Sequence, residues 1–436
     1  MDLHLNLAAE RGPLKARFEH ALRAAVRDLP PGTRLPPTRA LATELGVSRG
    51  VVADAYAQLA AEGYLLTRRG GGTFVARTPA PPLAATAAPR TTARPPRYDL
   101  RPALPALDGG FRPIWARALG RALKTTPDAR FGYPDPRGEP ELRDALAGSL
   151  ARRRGTRATP GDIRVTGGLG PSLPALWRLL ATRGVTRVAI EDPCWPRLRR
   201  TLTDAGLTPV PIAVDAKGIR VEDLPDDAGA VFVTPAHQYP TGAVLDPDRR
   251  ARLIEWARAH RALVLEDDYD AEFRYDRQPV GSLQGLAPDV VIHAGSTSKT
   301  LAPGLRLGWL ILPSSLQATL PGTPPVLDQL ALADLIERGD FDRHLRRYRR
   351  LYASRRAALL EAVAAHLPEA TVSGAAAGLH AVLHIEHAEA IADAARARGV
   401  ELDAFDGALI AGYANLPESQ ADAAVQEIKQ SVGQLW

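Results

Sequence analysis

The 436-residue chain is 45% apolar and carries a net charge of +6, which allows two or more domains, and no stretch approaches membrane-span length. Its single cysteine, Cys194, excludes an internal disulfide and fits a reducing cytosol, while ten histidines without ligand spacing give metal binding no support. Asp2 and His4 interrupt any basic-then-apolar leader pattern, so a cytoplasmic protein is expected. The charge is unevenly divided. Residues 1–97 hold 14 Lys/Arg against 7 Asp/Glu, whereas the remainder holds 41 against 42. That distribution is expected when one end of a chain meets nucleic acid and the other does not.

Residues 10–76 read as a small helical module. Leu14, Phe18, Leu22, Val26 and Leu29 recur at helical spacing, and PPGTRLPPT then breaks the helix. Thr38 is expected to cap a short helix that Gly46 ends, and Ser48 to cap a third whose Val52, Ala55, Tyr56 and Leu59 face inward. Helix, glycine-containing turn, helix is a helix-turn-helix pattern. YLLT and TFVA around the turn RRGGG add a two-stranded wing with a basic tip. Residues 77–97, rich in Pro, Ala and Thr, read as a linker.

From Tyr98 onward strands alternate with helices. IRVT (163–166), RVAI (187–190), AVFV (230–233), ALVL (262–265) and DVVIHAG (289–295) are apolar on both faces and predict a covered, mostly parallel sheet. Polar or glycine-rich segments follow each run, and ligands in such folds bind beyond the carboxyl ends of the strands. The chain from about residue 340 reads as helix followed by short strands, a small C-terminal subdomain. RHLRRYRRLYASRR (343–356) reads as a solvated helix face rather than a second nucleic-acid site.

Lys299 is the most informative residue. Only five of the 55 basic residues are lysine, and this one lies among hydroxyls in STSKTLAPG. An amine can lose its proton and form a Schiff base; a guanidinium cannot. Asp267 and Tyr269 follow a preceding apolar run, and Arg306 follows the lysine. A cofactor with an aldehyde, a pyridine ring and a phosphate needs an amine, a carboxylate, a phenol and phosphate-binding groups. Lys299, Asp267, Tyr269 and Ser296 with Arg306 supply them, which points to pyridoxal 5′-phosphate (PLP).

The stretch TRLPPTRALATELGVSRGVVADAYAQLAAEGYLLTRRGGGTFVA resembles a GntR-family winged helix-turn-helix. FGYPDPRGEPELRDAL, EDPCWP, TPAHQYPTGAVL, EDDYDAEFRY and STSKTLAPGLRLGW resemble a fold-type-I aminotransferase, and the two in this order resemble the MocR subfamily of GntR regulators. The resemblance implies a winged helix-turn-helix over 10–76, a linker over 77–97, and over 98–436 an α/β PLP-dependent transferase-like domain with a small C-terminal α+β subdomain. It implies that Lys299 carries the Schiff base, Asp267 pairs with the pyridine nitrogen and Tyr269 meets the ring hydroxyl. Ser296 and Arg306 would hold the phosphate with amides near Gly168 and Leu169. Ser298, Trp195 and Tyr239 complete the cofactor set, and Tyr133 would reach the phosphate in a partner subunit. Arg197 matches a ligand-carboxylate arginine. Thr38, Arg39, Ser48, Arg49, Gly50, Arg69 and Gly70 match DNA-contacting positions.

There are departures. Tyr239 stands where aminotransferases usually carry asparagine, Gly170 where the subfamily typically has glutamine, and GVELDAFDGALIAGYANL lacks the arginine of a second carboxylate clamp. The expected protein is a cytoplasmic homodimer that binds double-stranded promoter DNA and senses PLP, without metal or membrane, capable at most of partial transamination. Control of PLP synthesis is one expectation. The alternatives are a working aminotransferase with a DNA-binding tether, and a DNA-binding protein whose large domain is a cofactor-free dimerisation body. Several local readings stay open: Asp267 or Asp268 at the ring, Tyr239 and Trp195 as core aromatics, Arg197 paired with Glu191 or Asp192, and His237 as a supporting or a loop residue.

Overall fold

The helical spacing of the N-terminal region folds into α1 (Leu14–Arg27), α2 (Thr38–Glu44) and α3 (Arg49–Ala61), followed by the antiparallel strands β1 (Leu65–Arg68) and β2 (Gly72–Val75). This computed structural model describes residues 3, 5, 13–68, 70–76, 95–276, 280–316, 320 and 322–432. The chain divides into two units, Met1–Ala93 and Arg94–Trp436. In the first, Phe18, Leu22, Val26, Leu41, Val52, Ala55, Tyr56 and Leu59 form one buried cluster, as the spacing requires. Ser48 caps α3 by accepting the Val51 N–H at 3.4 Å. Thr38 does not cap α2: Pro37 holds the cap position, its fixed φ suits a helix start, and Thr38 is already helical. Arg23 binds Glu62 through two hydrogen bonds, tying α1 to the end of α3. Arg69 and residues 77–94 of the expected linker lie outside the described residues.

The second unit begins with β3 (Tyr98–Asp99), α4 (Arg112–Thr125) and α5 (Pro140–Arg154). The large sheet is then built from β4 (Ile163–Thr166), β5 (Arg187–Asp192), β6 (Thr208–Asp215), β7 (Gly218–Ile219), β8 (Ala230–Val233), β9 (Leu263–Asp267), β10 (Val291–Ser296) and β11 (Gly308–Ile311). Helices α6 (Leu169–Thr182), α7 (Pro196–Asp204) and α8 (Pro247–Ala259) connect these strands. Then come α9 (Val326–Glu337) and the long α10 (Asp340–His366). The chain closes with β12 (Thr371–Ser373), β13 (His380–His384), α11 (Ala388–Ala397), β14 (Val400–Glu401), β15 (Asp403–Phe405), β16 (Ala408–Gly412) and α12 (Glu418–Val432).

The eight strands lie in the order β4-β11-β10-β9-β8-β5-β6-β7. Pairs β6–β5, β5–β8, β8–β9 and β9–β10 are parallel, while β11 runs antiparallel between β10 and β4. Alternate residues face opposite layers. Val188, Ile190, Phe232, Leu265 and Ile292 pack with Trp177 on the α6 side; Ala189, Val231, Val233, Val264 and Val291 pack with Leu253 on the α8 side. Three strands of this sheet, β6, β7 and β11, are not marked by the apolar runs. Pro209 and Pro211 disguise β6, β7 is only two residues long, and β11 begins at the end of the GLRLGW motif. Strands β12, β13, β16 and β15 form the small antiparallel sheet, and β14 pairs with β3. The basic run on α10 is one face of a packed helix, since Leu345, Tyr348, Tyr352 and Arg355 are buried.

Trp177 is fully buried between α6 and the sheet, with its indole N–H donating to Thr201 at 3.0 Å. Trp177→Ala is expected to lower the unfolding free energy of the second unit by about 3–5 kcal/mol. Denaturant titration followed by circular dichroism measures the shift in midpoint.

Candidate functional site

The carboxyl ends of β4, β5, β8, β9 and β10 open onto one cleft of about 660 Å³. One hairpin supplies much of it. Ser296 ends β10, Ser298 and Lys299 follow, and a turn over Pro303–Leu305 returns the chain through Arg306 to β11. Arg306 sits at φ +51°, an uncommon conformation for a residue with a side chain, and this turn carries it into the cleft lining. Ser296 is paired with Gly308, which must be glycine, because a Cβ there would stand 2.6 Å from the Cα of Gly168. That close approach seats the loop Gly167–Gly168 and the N-terminus of α6 at the cleft. First-turn amides at a helix N-terminus attract an anion.

Lys299, Asp267, Tyr269, Ser296, Ser298, Arg306, Gly168, Leu169, Trp195, Tyr239 and Arg197 all line the cleft. Tyr133 does not: it is fully exposed elsewhere on the surface. The adjacent aspartates go separate ways. Asp268 turns into the protein, where Arg154 donates to both of its oxygens at 2.7 and 2.8 Å and His293 lies 3.0 Å away. Asp267 turns into the cleft, so Asp267 is the carboxylate positioned to meet a ring nitrogen. Arg197 has neither local partner proposed for it. Glu191 is engaged by Thr234 and Gln238, Asp192 is bound by Arg199, and Arg197 stays exposed with no ion pair among the described residues.

The electrostatics follow from burial. Burial and the neighbouring Asp268 push the Asp267 carboxyl up to about 8, against the pull of Lys299. Burial holds the Lys299 amine below its ordinary value, offset by Asp267 and Asp270, which favours the neutral nucleophilic form. Burial alone would raise Asp268, but Arg154 and His293 reverse this and hold it well below the usual carboxylate range. Burial also raises the Glu191 carboxyl to about 7 and lifts the Tyr269 phenol well above its ordinary value.

The donor set fits PLP. An amine of lowered basicity, a carboxyl raised by burial, a phenol, two serines, an exposed arginine and a helix N-terminus meet in one cleft. Sequence reasoning missed Glu191, Cys194, Thr201, Phe232 and Thr234 as lining residues. Four of them stand at or just past the carboxyl ends of β5 and β8, which was the available signal, and Thr201 comes from α7. His237 is a supporting residue: its Nδ1 lies 3.0 Å from the Tyr269 hydroxyl. Gly170, at the cleft beside Trp195, would bring a Cβ to only 3.6 Å from that ring.

In the first unit, Arg39 and Arg49 stand in the first turns of α2 and α3, both exposed and without ion pairs among the described residues. Ser48, Gly50 and Gly70 are also exposed, while Thr38 is half-buried. Gly70 turns the wing at φ +72°.

Residues 14–75 match the model of bacterial regulatory proteins of the gntR family, and residues 112–425 match aminotransferase class I and II. The chain is 35% identical over 422 residues to the probable rhizopine catabolism regulatory protein MocR of Rhizobium meliloti, spanning 89% of this chain and 85% of that protein. It is 37% identical over 369 residues to the HTH-type pyridoxine biosynthesis transcriptional regulator PdxR of Corynebacterium glutamicum, spanning 81% and 79%. An archaeal alanine:glyoxylate aminotransferase superposes with a TM-score of 0.69 at 22% identity, over 78% of this chain and 91% of that one. That likeness concerns the fold.

The buried Arg154–Asp268 pair carries a measurable consequence. Arg154→Ala leaves a carboxylate without its main counter-charge and is expected to cost about 3–5 kcal/mol at neutral pH. Because Asp268 is depressed in the folded state, the pair stabilises above the ordinary carboxyl value and loses its effect as pH falls through the folded value. Urea titrations at neutral and strongly acidic pH should therefore show the gap between wild type and variant shrinking in acid.

Proposed function

The chain belongs to the GntR family of bacterial regulators, in the MocR-type branch that joins a helix-turn-helix to an aminotransferase class I and II domain, and on that premise we propose that it is a DNA-binding transcriptional regulator whose second unit senses PLP. The observation that carries the sensing half is the convergence of Lys299, Asp267, Tyr269 and Arg306 in one cleft. The cofactor, when bound, supplies an electrophilic aldehyde carbon and an electron-withdrawing ring. The residues divide the remaining work. Lys299 presents its amine to the aldehyde carbon, Asp267 opposes the ring nitrogen, and Tyr269 donates to the ring oxygen. Ser296, Ser298, Arg306 and the start of α6 take the phosphate, and Trp195 and Tyr239 flank the ring. Arg197, exposed at the cleft, is the cation available to a ligand carboxylate.

Double-stranded promoter DNA is read by the winged module, with Thr38, Arg39, Ser48, Arg49, Gly50 and Gly70 as the contacting positions. A homodimer would pair two such modules on two half-sites and give the exposed Tyr133 a neighbouring subunit to reach. A ligand at Lys299 shifts DNA binding only through its different affinity for the two arrangements of the modules. The name of the Corynebacterium relative makes genes of PLP synthesis the first regulon to test, and that of the Rhizobium relative makes small-molecule catabolism the second.

Two measurements test this reading. Purified protein mixed with PLP should show the visible band of lysine-linked cofactor, and Lys299→Ala should abolish it; retention of the band refutes the lysine assignment. Footprints on the promoter beside its own gene, with and without PLP, should differ in affinity by about 5- to 150-fold. Steady transamination of common amino-acid pairs at ordinary enzyme rates would instead favour a working aminotransferase.

Arg49→Ala tests the DNA face. Loss of a phosphate contact is expected to weaken binding uniformly across sequences and reduce the salt slope by about 1. Unchanged affinity in titrations at several salt concentrations removes Arg49 from the interface.

A further inference from the structure

Tyr269 is the cleft's phenol, and behind it lies a buried pair that the cofactor reading leaves unused. Nδ1 of His237 is 3.0 Å from the Tyr269 hydroxyl and 3.0 Å from Oδ2 of Asp270. The side chains of His237 and Asp270 are only 2% and 1% exposed. A carboxylate accepts and does not donate, so the proton between these groups sits on Nδ1. With Nδ1–H shared between Asp270 and the phenol oxygen, the Tyr269 O–H has no acceptor on the histidine; the acceptors left to it are the Asp270 carboxylate, already engaged by His237, and a ring oxygen arriving in the cleft.

Three segments lock this arrangement. His237 comes from the loop after β8, and Tyr269 and Asp270 from the loop after β9. Gly378, just before β13, closes over them: a Cβ there would stand 2.1 Å from His237 Cε1 and 2.6 Å from Asp270 Oδ2. The Gly378 carbonyl accepts from the hydroxyls of Tyr275 at 2.6 Å and Tyr413 at 2.8 Å, which pins that backbone in place. His380 packs against His237 with ring centroids 5.0 Å apart, and its Nε2–H donates to the Pro240 carbonyl at 3.1 Å. Burial and the adjacent His237 push His380 down to about 3, so it is neutral and does not compete as a proton source. The other ionisable groups facing the cluster are Asp267, Tyr239 and Lys299.

We propose that Asp270 and His237 are a positioning pair that fixes the phenol of Tyr269 and directs its O–H to the ring oxygen of the bound cofactor. The inference rests on the PLP reading above and adds the residues that set the strength of that contact. A phenol whose oxygen accepts from Nδ1–H is a stronger donor, because hydrogen bonds in a chain polarise one another. The stronger donor stabilises the anionic ring oxygen and so lowers the pH at which lysine-linked cofactor loses its proton. Because Gly378 belongs to the small subdomain, that subdomain's packing on the pair becomes part of the cofactor's electronic environment.

The test is a pH titration of the visible band of cofactor-loaded full-length protein. His237→Leu is expected to raise the midpoint by up to about half a pH unit, because it removes the polarisation of the Tyr269 donor and not the donor itself. Asp270→Asn should move it the same way by less, and His237→Asn, which keeps a donor near the Nδ1 position, should restore it towards wild type. In a Tyr269→Phe background, His237→Leu should add nothing, since its route to the cofactor is gone. A wild-type band with an unmoved midpoint in His237→Leu and Asp270→Asn overturns this inference alone, as does an equal shift in the Tyr269→Phe background. If His237→Leu does not fold, the Asp270→Asn midpoint decides. Absence of the band in wild-type protein with added PLP overturns the cofactor reading and this inference together.

Discussion

A sheet covered by helices on both faces must fill its interior with apolar side chains, and its polar groups then collect where the strands end. That constraint organises the second unit. Val188, Ile190, Phe232 and Leu265 face one layer and Ala189, Val231, Val233 and Val264 the other, while Asp267 and Ser296 stand at the carboxyl edge and Lys299 just past it. The antiparallel β11 sharpens the effect. It forces the lysine loop to double back at Arg306, bringing amine and guanidinium to the same mouth.

Charge placement inside that edge is economical. Two neighbouring carboxylates of one strand end are separated by the alternation of side chains, and each is given a different task. Asp268 is neutralised by Arg154 and His293 and becomes structural. Asp267 is left with only the amine of Lys299 to oppose its burial, so a cationic ring nitrogen arriving in the cleft would supply the missing counter-charge. The same logic recurs one layer out, where Asp270 is committed to His237 and the two hold the Tyr269 hydroxyl at the cleft.

A regulator built this way keeps the parts of catalytic machinery that bind and recognise. Coupling to DNA requires only that the cleft's ligand favour one arrangement of two modules, and a few kcal/mol of differential binding suffices. The winged module is correspondingly simple: a small apolar core beneath exposed arginines at two helix starts.

The sequence by itself determined the elements and their chemistry. Helical spacing from Phe18 to Leu59, two-sided apolar runs and a rare lysine among hydroxyls each reflect local periodicity or reactivity, which needs no partner to be read. It did not determine β6, whose prolines hide an outer strand, nor that Pro37 rather than Thr38 would begin α2. It left Asp267 and Asp268 equivalent, because alternation says that neighbours diverge without saying which side holds the arginine. Only the tertiary structure decided that, by bringing Arg154 from α5 and His293 from β10 to one aspartate. It likewise brought His237 and Asp270, in different loops, to 3.0 Å from each other. Such choices depend on contacts between residues far apart in the chain, and no local pattern encodes them.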